Sequence, residues 1–135
     1  MNDAMNEALG AYAAAWNETD AEKREHLLEK GFAPDGTYID PAGKANGRQE
    51  LSTMIAGFLD NRPGSTIEID SEIDEHDGYA RFTWVAKDAD GNAFLPGMDF
   101  ATFAPDGRVA QIVGFFGPIP PLGLGKLLYT GGRTR

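Results

Sequence analysis

The sequence has no cysteine among its 135 residues. Disulfides, thiolate metal centres and a cysteine nucleophile are therefore excluded at the outset. Positive charge is also scarce, with 12 Lys and Arg against 21 Asp and Glu, a formal net charge of -9. Binding along a nucleic-acid backbone needs a cationic footprint, which this chain does not offer. Its negative charge is sufficiently explained by solubility. Long apolar runs are missing too, so no segment is suited to cross a bilayer and no membrane partner is expected. The opening MNDAMNEALG carries acids and lacks the basic-then-apolar pattern of a signal peptide, which points to the cytoplasm. No phosphate loop, dinucleotide fingerprint or HExxH helix occurs, and GLGKLL at 123–128 has the wrong spacing for the first of these. No cofactor is implied.

What is present suits one globular domain with a real core. Met5, Leu9, Tyr12 and Trp16 fall on one stripe of a first helix. Thr19-Asp20-Ala21-Glu22 reads as a capping box with Thr19 at the cap, opening a second helix that stops near Gly31. Pro34-Asp35-Gly36 reads as a turn that launches a short strand, GTYID, and residues 42–47 read as a loop. Leu51, Met54, Ile55, Phe58 and Leu59 give a third helix a strong apolar face, ended by Arg62-Pro63-Gly64. From Thr66 onward the pattern is that of strands. Tyr79–Ala86, Ala93–Phe103 and Arg108–Phe116 are joined by Asp88-Ala89-Asp90-Gly91 and Pro105-Asp106-Gly107, which predicts an antiparallel meander. Helices first and strands after give an α+β fold with helices laid on one sheet face. Residues 1–117 form the expected domain. Residues 118–135 form a Gly/Pro-rich tail, with Leu122, Leu124, Leu127, Leu128 and Tyr129 as its apolar side chains.

Alternation along the last two strands puts apolar side chains on both faces. One layer of helices covers one face, so the other is expected to meet a second copy, a homodimer through the sheet, unless the tail wraps over it. Two acids stand out. Asp40 ends the first strand against Pro41 and shares a face with Tyr38, so it is either a solvated strand end or a carboxylate turned into a pocket. Asp99 lies mid-strand, where aspartate has poor propensity. It either points outward, capping loop backbone, or sits on the covered face, where burial favours the neutral acid.

Three segments, YAAAWNETD at 12–20, TYIDPAG at 37–43 and GMDFATFAPDGRVAQIVGFFG at 97–117, resemble the nuclear transport factor 2-like superfamily. More narrowly they resemble its ketosteroid-isomerase and SnoaL-like polyketide cyclase branches, over residues 8–117. The resemblance implies a cone, a curved antiparallel or mixed sheet wrapped around the N-terminal helices and enclosing an apolar cavity. Steroid isomerases hold there a tyrosine on the first helix, an aspartate base before a proline, and a protonated aspartic acid late in the sheet. These carry over to Tyr12, Asp40 and Asp99. Trp16, Tyr38, Phe58, Phe82, Trp84, Phe103 and Phe116, with Phe32, then supply an apolar wall for a small apolar carbonyl compound. The third helix offers no further tyrosine around Met54 and Ile55, and Trp84 is bulky, so a steroid itself is not implied.

His76, in Asp74-Glu75-His76-Asp77, is either a solvated turn histidine or, as in the SnoaL-like branch, a cavity-facing one. The same acids do not have the spacing of a metal loop, and no metal is expected. Arg48 is expected to pair with surface acids and His26 to lie on the surface. The implied activity is proton transfer next to a carbonyl, by isomerisation or aldol-type ring closure. A non-catalytic hydrophobic-ligand or dimerisation module of the same fold is the alternative. Epoxide hydrolysis would need an arginine between two acids, and no inward-facing arginine is read from the strands.

Overall fold

A computed structural model describes residues 1–123. The tail residues Leu124, Leu127, Leu128 and Tyr129 lie outside that range, whereas Ile119 and Leu122 are exposed.

Helix α1 (Asp3–Ala15) starts at Asn2, whose side chain accepts from the Met5 N–H at 2.8 Å. Leu9, Tyr12 and Ala15 on its inner stripe are buried, and Trp16 follows at its C-cap. Helix α2 (Ala21–Gly31) is capped by Asp20, one residue later than the capping-box reading placed it. Its carboxylate accepts from the Glu22 and Lys23 N–H groups at 2.9 and 3.2 Å. An anion is the stronger acceptor at the positive end of a helix. Gly31 ends α2 directly on the backbone of α1, where a β-carbon would stand 2.6 Å from both Ala8 O and Tyr12 N. That contact fixes where Tyr12 is presented.

Strand β1 (Phe32–Asp40) begins immediately after α2, with no turn between them. Pro34-Asp35-Gly36 is instead an irregularity inside the strand, where pairing with the last strand breaks between Phe32 and Thr37. A proline has no N–H to give a ladder and sits where the ladder lapses. The segment expected to be a loop contains β2 (Gly43–Asn46), which folds back on β1 with Asp40 opposite Gly43. Helix α3 (Gly47–Asn61) follows, with Leu51, Ile55 and Leu59 buried. Arg48 does not pair with surface acids. It donates to the Phe32 and Glu29 carbonyls at 2.7 and 3.3 Å and ties the α2–β1 junction to α3.

The remaining strands are β3 (Thr66–Ile69), β4 (Asp74–His76), β5 (Tyr79–Lys87), β6 (Ala93–Phe103) and β7 (Val109–Phe116). The expected meander is β5-β6-β7, and its turns place Gly91 and Gly107 at positive φ. The sheet runs β2-β1-β7-β6-β5-β3, with β4 pairing β5 beside this path. Only β1 and β7 are parallel, so the sheet is mixed. It is curved and unclosed, with the N-terminal helices on its inner side.

The core between helices and sheet is built on Leu28, Phe32, Leu51, Ile55, Val109 and Ile112. Among the described residues no helix is long and apolar enough to cross a membrane. Because Gly31 meets backbone that cannot step aside, Gly31→Ala is expected to lower stability by about 1–3 kcal/mol, as overpacking does. Chemical denaturation checks this; an unchanged midpoint would show that the helices separate without cost.

Candidate functional site

Strands β1, β7 and β6 lie side by side, and their registers set three residues in a row. Ile39 is paired with Val113 and Asp99 with Gly114, so Asp40 and Asp99 flank Gly114 from either side. A β-carbon on Gly114 would stand 2.8 Å from Asp99 Oδ1 and 3.3 Å from Asp40 Cβ. The missing side chain leaves the space between two carboxyl groups open.

The two acids have unlike surroundings. Asp40 is half-buried at the mouth of the β1–β2 turn. Its Oδ1 accepts from the Ala42 and Gly43 N–H groups at 2.7 and 3.1 Å, and its Oδ2 accepts from the Tyr38 hydroxyl. Every one of these contacts is donated to it. Asp99 is 6% exposed and receives one side-chain donor, Trp84 Nε1–H, at 3.0 Å on Oδ1. Burial pushes its carboxyl up to about 7; the Trp84 hydrogen bond opposes this, and the charge of Asp40 adds to it. Near neutral pH a large share of Asp99 is thus a neutral acid, with Oδ2 free to hold the proton.

Tyr12 reaches the same space from α1, its ring stacked on Phe32 at 6.0 Å. Burial, then the charge of Asp99, hold its hydroxyl well above the ordinary tyrosine value. Burial also raises Tyr38, with Tyr12 and the bond to Asp40 adding to the effect. Both tyrosines are therefore kept as proton-bearing donors. The sequence reading assigned Tyr38 to the wall; its position two residues before Asp40 on one strand face is what allows it to hold that carboxylate.

These groups line a cavity of about 520 Å³, a size suited to a small organic molecule. Trp16, Phe58, Phe82, Trp84 and Phe116 form much of its wall, as expected. Trp16 packs on Tyr38 at 5.6 Å and edge-on to Phe58 at 5.9 Å, and Trp84 edge-on to Phe116 at 6.0 Å. Trp84 lies flat across β6 because Gly97 has no side chain; a β-carbon there would be 2.0 Å from the indole.

Three residues expected to line the cavity are elsewhere. Phe32 is fully buried in the core, where it stacks on Tyr12. Phe103 keeps the inner face and packs against the core, but it ends β6 opposite Val109, at the far end of the β6–β7 ladder from Gly97 and Phe116, and does not line the cavity. His76 is on β4, its side chain 79% exposed and 3.0 Å from Asp77, which raises its pKa. It faces solvent, not the cavity. Its acidic neighbours are engaged locally, Asp74 with Arg81 and Glu75 with the chain's terminal amine. No group of three or more metal-ligating side chains is placed to hold an ion among the described residues.

Several lining residues escaped the sequence reading. Ile67 and Ile69 come from β3, and Phe94 and Leu95 from the start of β6. Asn61 and Arg62 come from the end of α3, so an arginine does line the cavity, contrary to expectation. It stands at the exposed rim and forms no ion pair with either acid.

The SnoaL-like domain family matches residues 9–112. None of the proteins of curated function is similar to the chain in sequence. Among solved structures, a candidate isomerase of the SnoaL-like family from Agrobacterium tumefaciens is 30% identical, with a TM-score of 0.79 over 87% of this chain and 100% of its own. A protein of unknown function with a cystatin-like fold from Methylobium petroleophilum PM1 is 18% identical, with a TM-score of 0.73 over 100% of this chain and 97% of its own. A candidate SnoaL-like polyketide cyclase from Jannaschia sp. CCS1 is 10% identical, with a TM-score of 0.64 over 86% and 89%. The last two likenesses bear on fold alone.

Between an unfolded value near 4 and about 7, folded Asp99 keeps a proton that the unfolded chain has released. Stability therefore falls as pH rises through that window, at up to about 1.4 kcal/mol per pH unit, and the loss is complete above it. Asp99→Asn should flatten this slope in denaturation series between pH 4 and 8. Trp84→Phe removes the donor that favours the ionised form, so the Asp99 carboxyl signal in carbon NMR should titrate above about 7. A midpoint near 4 in the native protein would contradict the burial argument.

Proposed function

The chain belongs to the SnoaL-like family, and from that premise we propose that it is an enzyme moving a proton next to the carbonyl of a small apolar compound, with its own side chains as the only catalysts. The observation that carries the reading is the pair of unlike carboxyls across Gly114, both facing one apolar cavity. Asp40, held by donors alone, takes the proton from the α-carbon. The electron pair left behind moves onto the carbonyl oxygen, and Tyr12 and neutral Asp99 donate hydrogen bonds to the resulting enolate oxygen. Where the compound carries a β,γ double bond, returning the proton to the γ-carbon of the dienolate shifts that double bond into conjugation and completes an isomerisation. Attack of the enolate carbon on a second carbonyl of the same molecule forms the ring bond and an alkoxide, and the alkoxide takes back the proton held by Asp40 to complete an aldol-type closure. The aromatic wall excludes water, which strengthens each of these contacts.

The test uses 2-tetralone, a small apolar ketone, and follows exchange of its α-protons in heavy water by NMR. The native protein should accelerate exchange over buffer, and Asp40→Asn should lower the enzymatic rate at least about a hundredfold, the scale of general-base loss. Exchange that does not depend on Asp40 would sink the assignment. Tetralone binding without any acceleration would favour the non-catalytic ligand-binding module of the same fold.

We further propose that the sheet's outer face meets a second copy. Phe100 and Phe115 pack edge-to-face there at 6.0 Å yet are 41% and 54% exposed, and Ile39 and Tyr79 are exposed with them. The helices occupy the other face, so this patch is left to a partner. Light scattering behind size exclusion should report a dimer, and Phe115→Asp should convert it to a folded monomer. A native protein that is monomeric at high concentration would overturn this.

A further inference from the structure

Four of the five described arginines spend their guanidinium groups on protein acceptors. Arg24 donates to Ser52 Oγ and the Glu18 carbonyl, Arg48 to the Phe32 and Glu29 carbonyls, Arg81 to Asp74, and Arg108 to Asp106 and the Glu29 carbonyl. Arg62 is the exception. Among the described residues its guanidinium has no carboxylate in ion-pair range and no acceptor in hydrogen-bond range. It lies instead over the Phe94 ring, 4.0 Å from the centroid. Both Arg62 and Phe94 line the cavity that holds Asp40 and Asp99.

The backbone beneath this arginine is firmly held. The Arg62 N–H donates to the Phe58 carbonyl at 3.1 Å, closing α3. The Arg62 carbonyl accepts from both Ser65 N–H and Ser65 Oγ–H, at 3.1 and 2.7 Å, and Pro63 follows directly. A guanidinium mounted on a fixed turn and laid flat on a ring loses little freedom when it binds, and its edge still presents a fork of donors. Asn61, the preceding residue, also lines the cavity and adds an amide. Among the described residues Arg62 is the only cation in the lining, and the lining's other ionisable groups there are two acids and two tyrosines.

We propose that Arg62, with Asn61 beside it, receives a carboxylate on the substrate, so that the natural compound is an apolar oxo acid: its carbonyl at Asp40 and Asp99, its carboxylate at the rim. This deepens the reading of the site as a carbonyl proton-transfer centre and rests on it. The planar fork of an arginine matches a carboxylate's two oxygens. The arrangement also sets orientation. A carboxylate placed deep in the cavity would face Asp40, whereas at the rim it meets Arg62, the one cation among the described lining residues. Binding would then hold the α-carbon at the base and prevent the reversed pose.

Trp16 and Trp84 both line the cavity, so quenching of their fluorescence reports occupancy. The probes are 2-naphthoate and its neutral counterpart 2-acetylnaphthalene, alike in shape and different in charge. Arg62→Gln should weaken naphthoate binding about tenfold or more, the scale of a charge-assisted hydrogen bond, and change acetylnaphthalene less than about twofold. Added salt should weaken naphthoate binding to the native protein and have little further effect on the variant. Arg62→Lys, which keeps the charge and loses the fork, should fall between the two. The same dependence on Arg62 should persist in Asp40→Asn, so that loss of turnover through the base is not mistaken for loss of the anion contact. Equal weakening of both probes, an unchanged naphthoate affinity, or no naphthoate binding up to about 1 mM would overturn the proposal.

Discussion

Asp99 is a carboxyl group taken out of water in the middle of a strand, and much of the surrounding structure follows from keeping it there. A buried carboxylate is costly unless it is paired or hydrogen-bonded, and an unpaired one lowers its cost by staying protonated. Here the single side-chain donor is the Trp84 indole, which reaches Asp99 only by lying across β6 at Gly97. The neighbour on the other side is Gly114, where even a methyl would press on Asp99 Oδ1. Two glycines on adjacent strands thus do different work. One admits the indole that covers the acid, and the other leaves room for the acid's Oδ1 beside Asp40.

The same sheet gives Asp40 the opposite treatment. It ends β1, where the chain must turn into β2, and turns expose backbone N–H groups that need an acceptor. Its Oδ1 meets that need at Ala42 and Gly43 while Tyr38 occupies Oδ2. A residue that caps a hairpin is thereby also aimed into a cavity. One side-chain type thus stands in two settings, a donor-rich strand end and an apolar strand centre, and burial at the second raises the Asp99 carboxyl.

Much of this was legible because it depends on local rules. Period-two alternation put Tyr38 beside Asp40 and Asp99 beside Ala101, and the Asp/Gly turns marked the β5-β6-β7 meander. What escaped was set by long-range contacts. β2 is GKAN, a segment with no strand propensity of its own, and it is a strand because β1 offers it a ladder. The Pro34-Asp35-Gly36 signal was genuine as an interruption, yet whether a break becomes a turn or a bulge is decided by the neighbouring strand. Phe103 has the face that alternation gives it, but alternation does not say how far along a strand a cavity extends. Arg62 lies past the last full turn of α3, where helical periodicity has ended and nothing in the sequence says which way a side chain will lean. His76 was read from its acidic surroundings and from the resemblance, and the short β4–β5 hairpin that turns it outward is fixed by Gly78, at φ 82.

The buried acid also bears on the choice between enzyme and binder. A cavity that only held apolar molecules would gain nothing from Asp99, whose ionisation near neutral pH works against the folded state. An asparagine could accept the same Trp84 hydrogen bond through its amide oxygen without that pH-dependent loss. A donor whose proton is available near pH 7 is of use where negative charge appears on a neighbouring oxygen and must be met at once. The arrangement gives up stability near neutral pH, a relation often found where an ionisable group serves a site rather than the fold. Tyr12 sharpens the point, since a second buried donor in reach of the same space adds little to apolar binding and much to holding an enolate oxygen. Burial, usually the means of stabilising a fold, is used here to keep two protons where a reaction would need them.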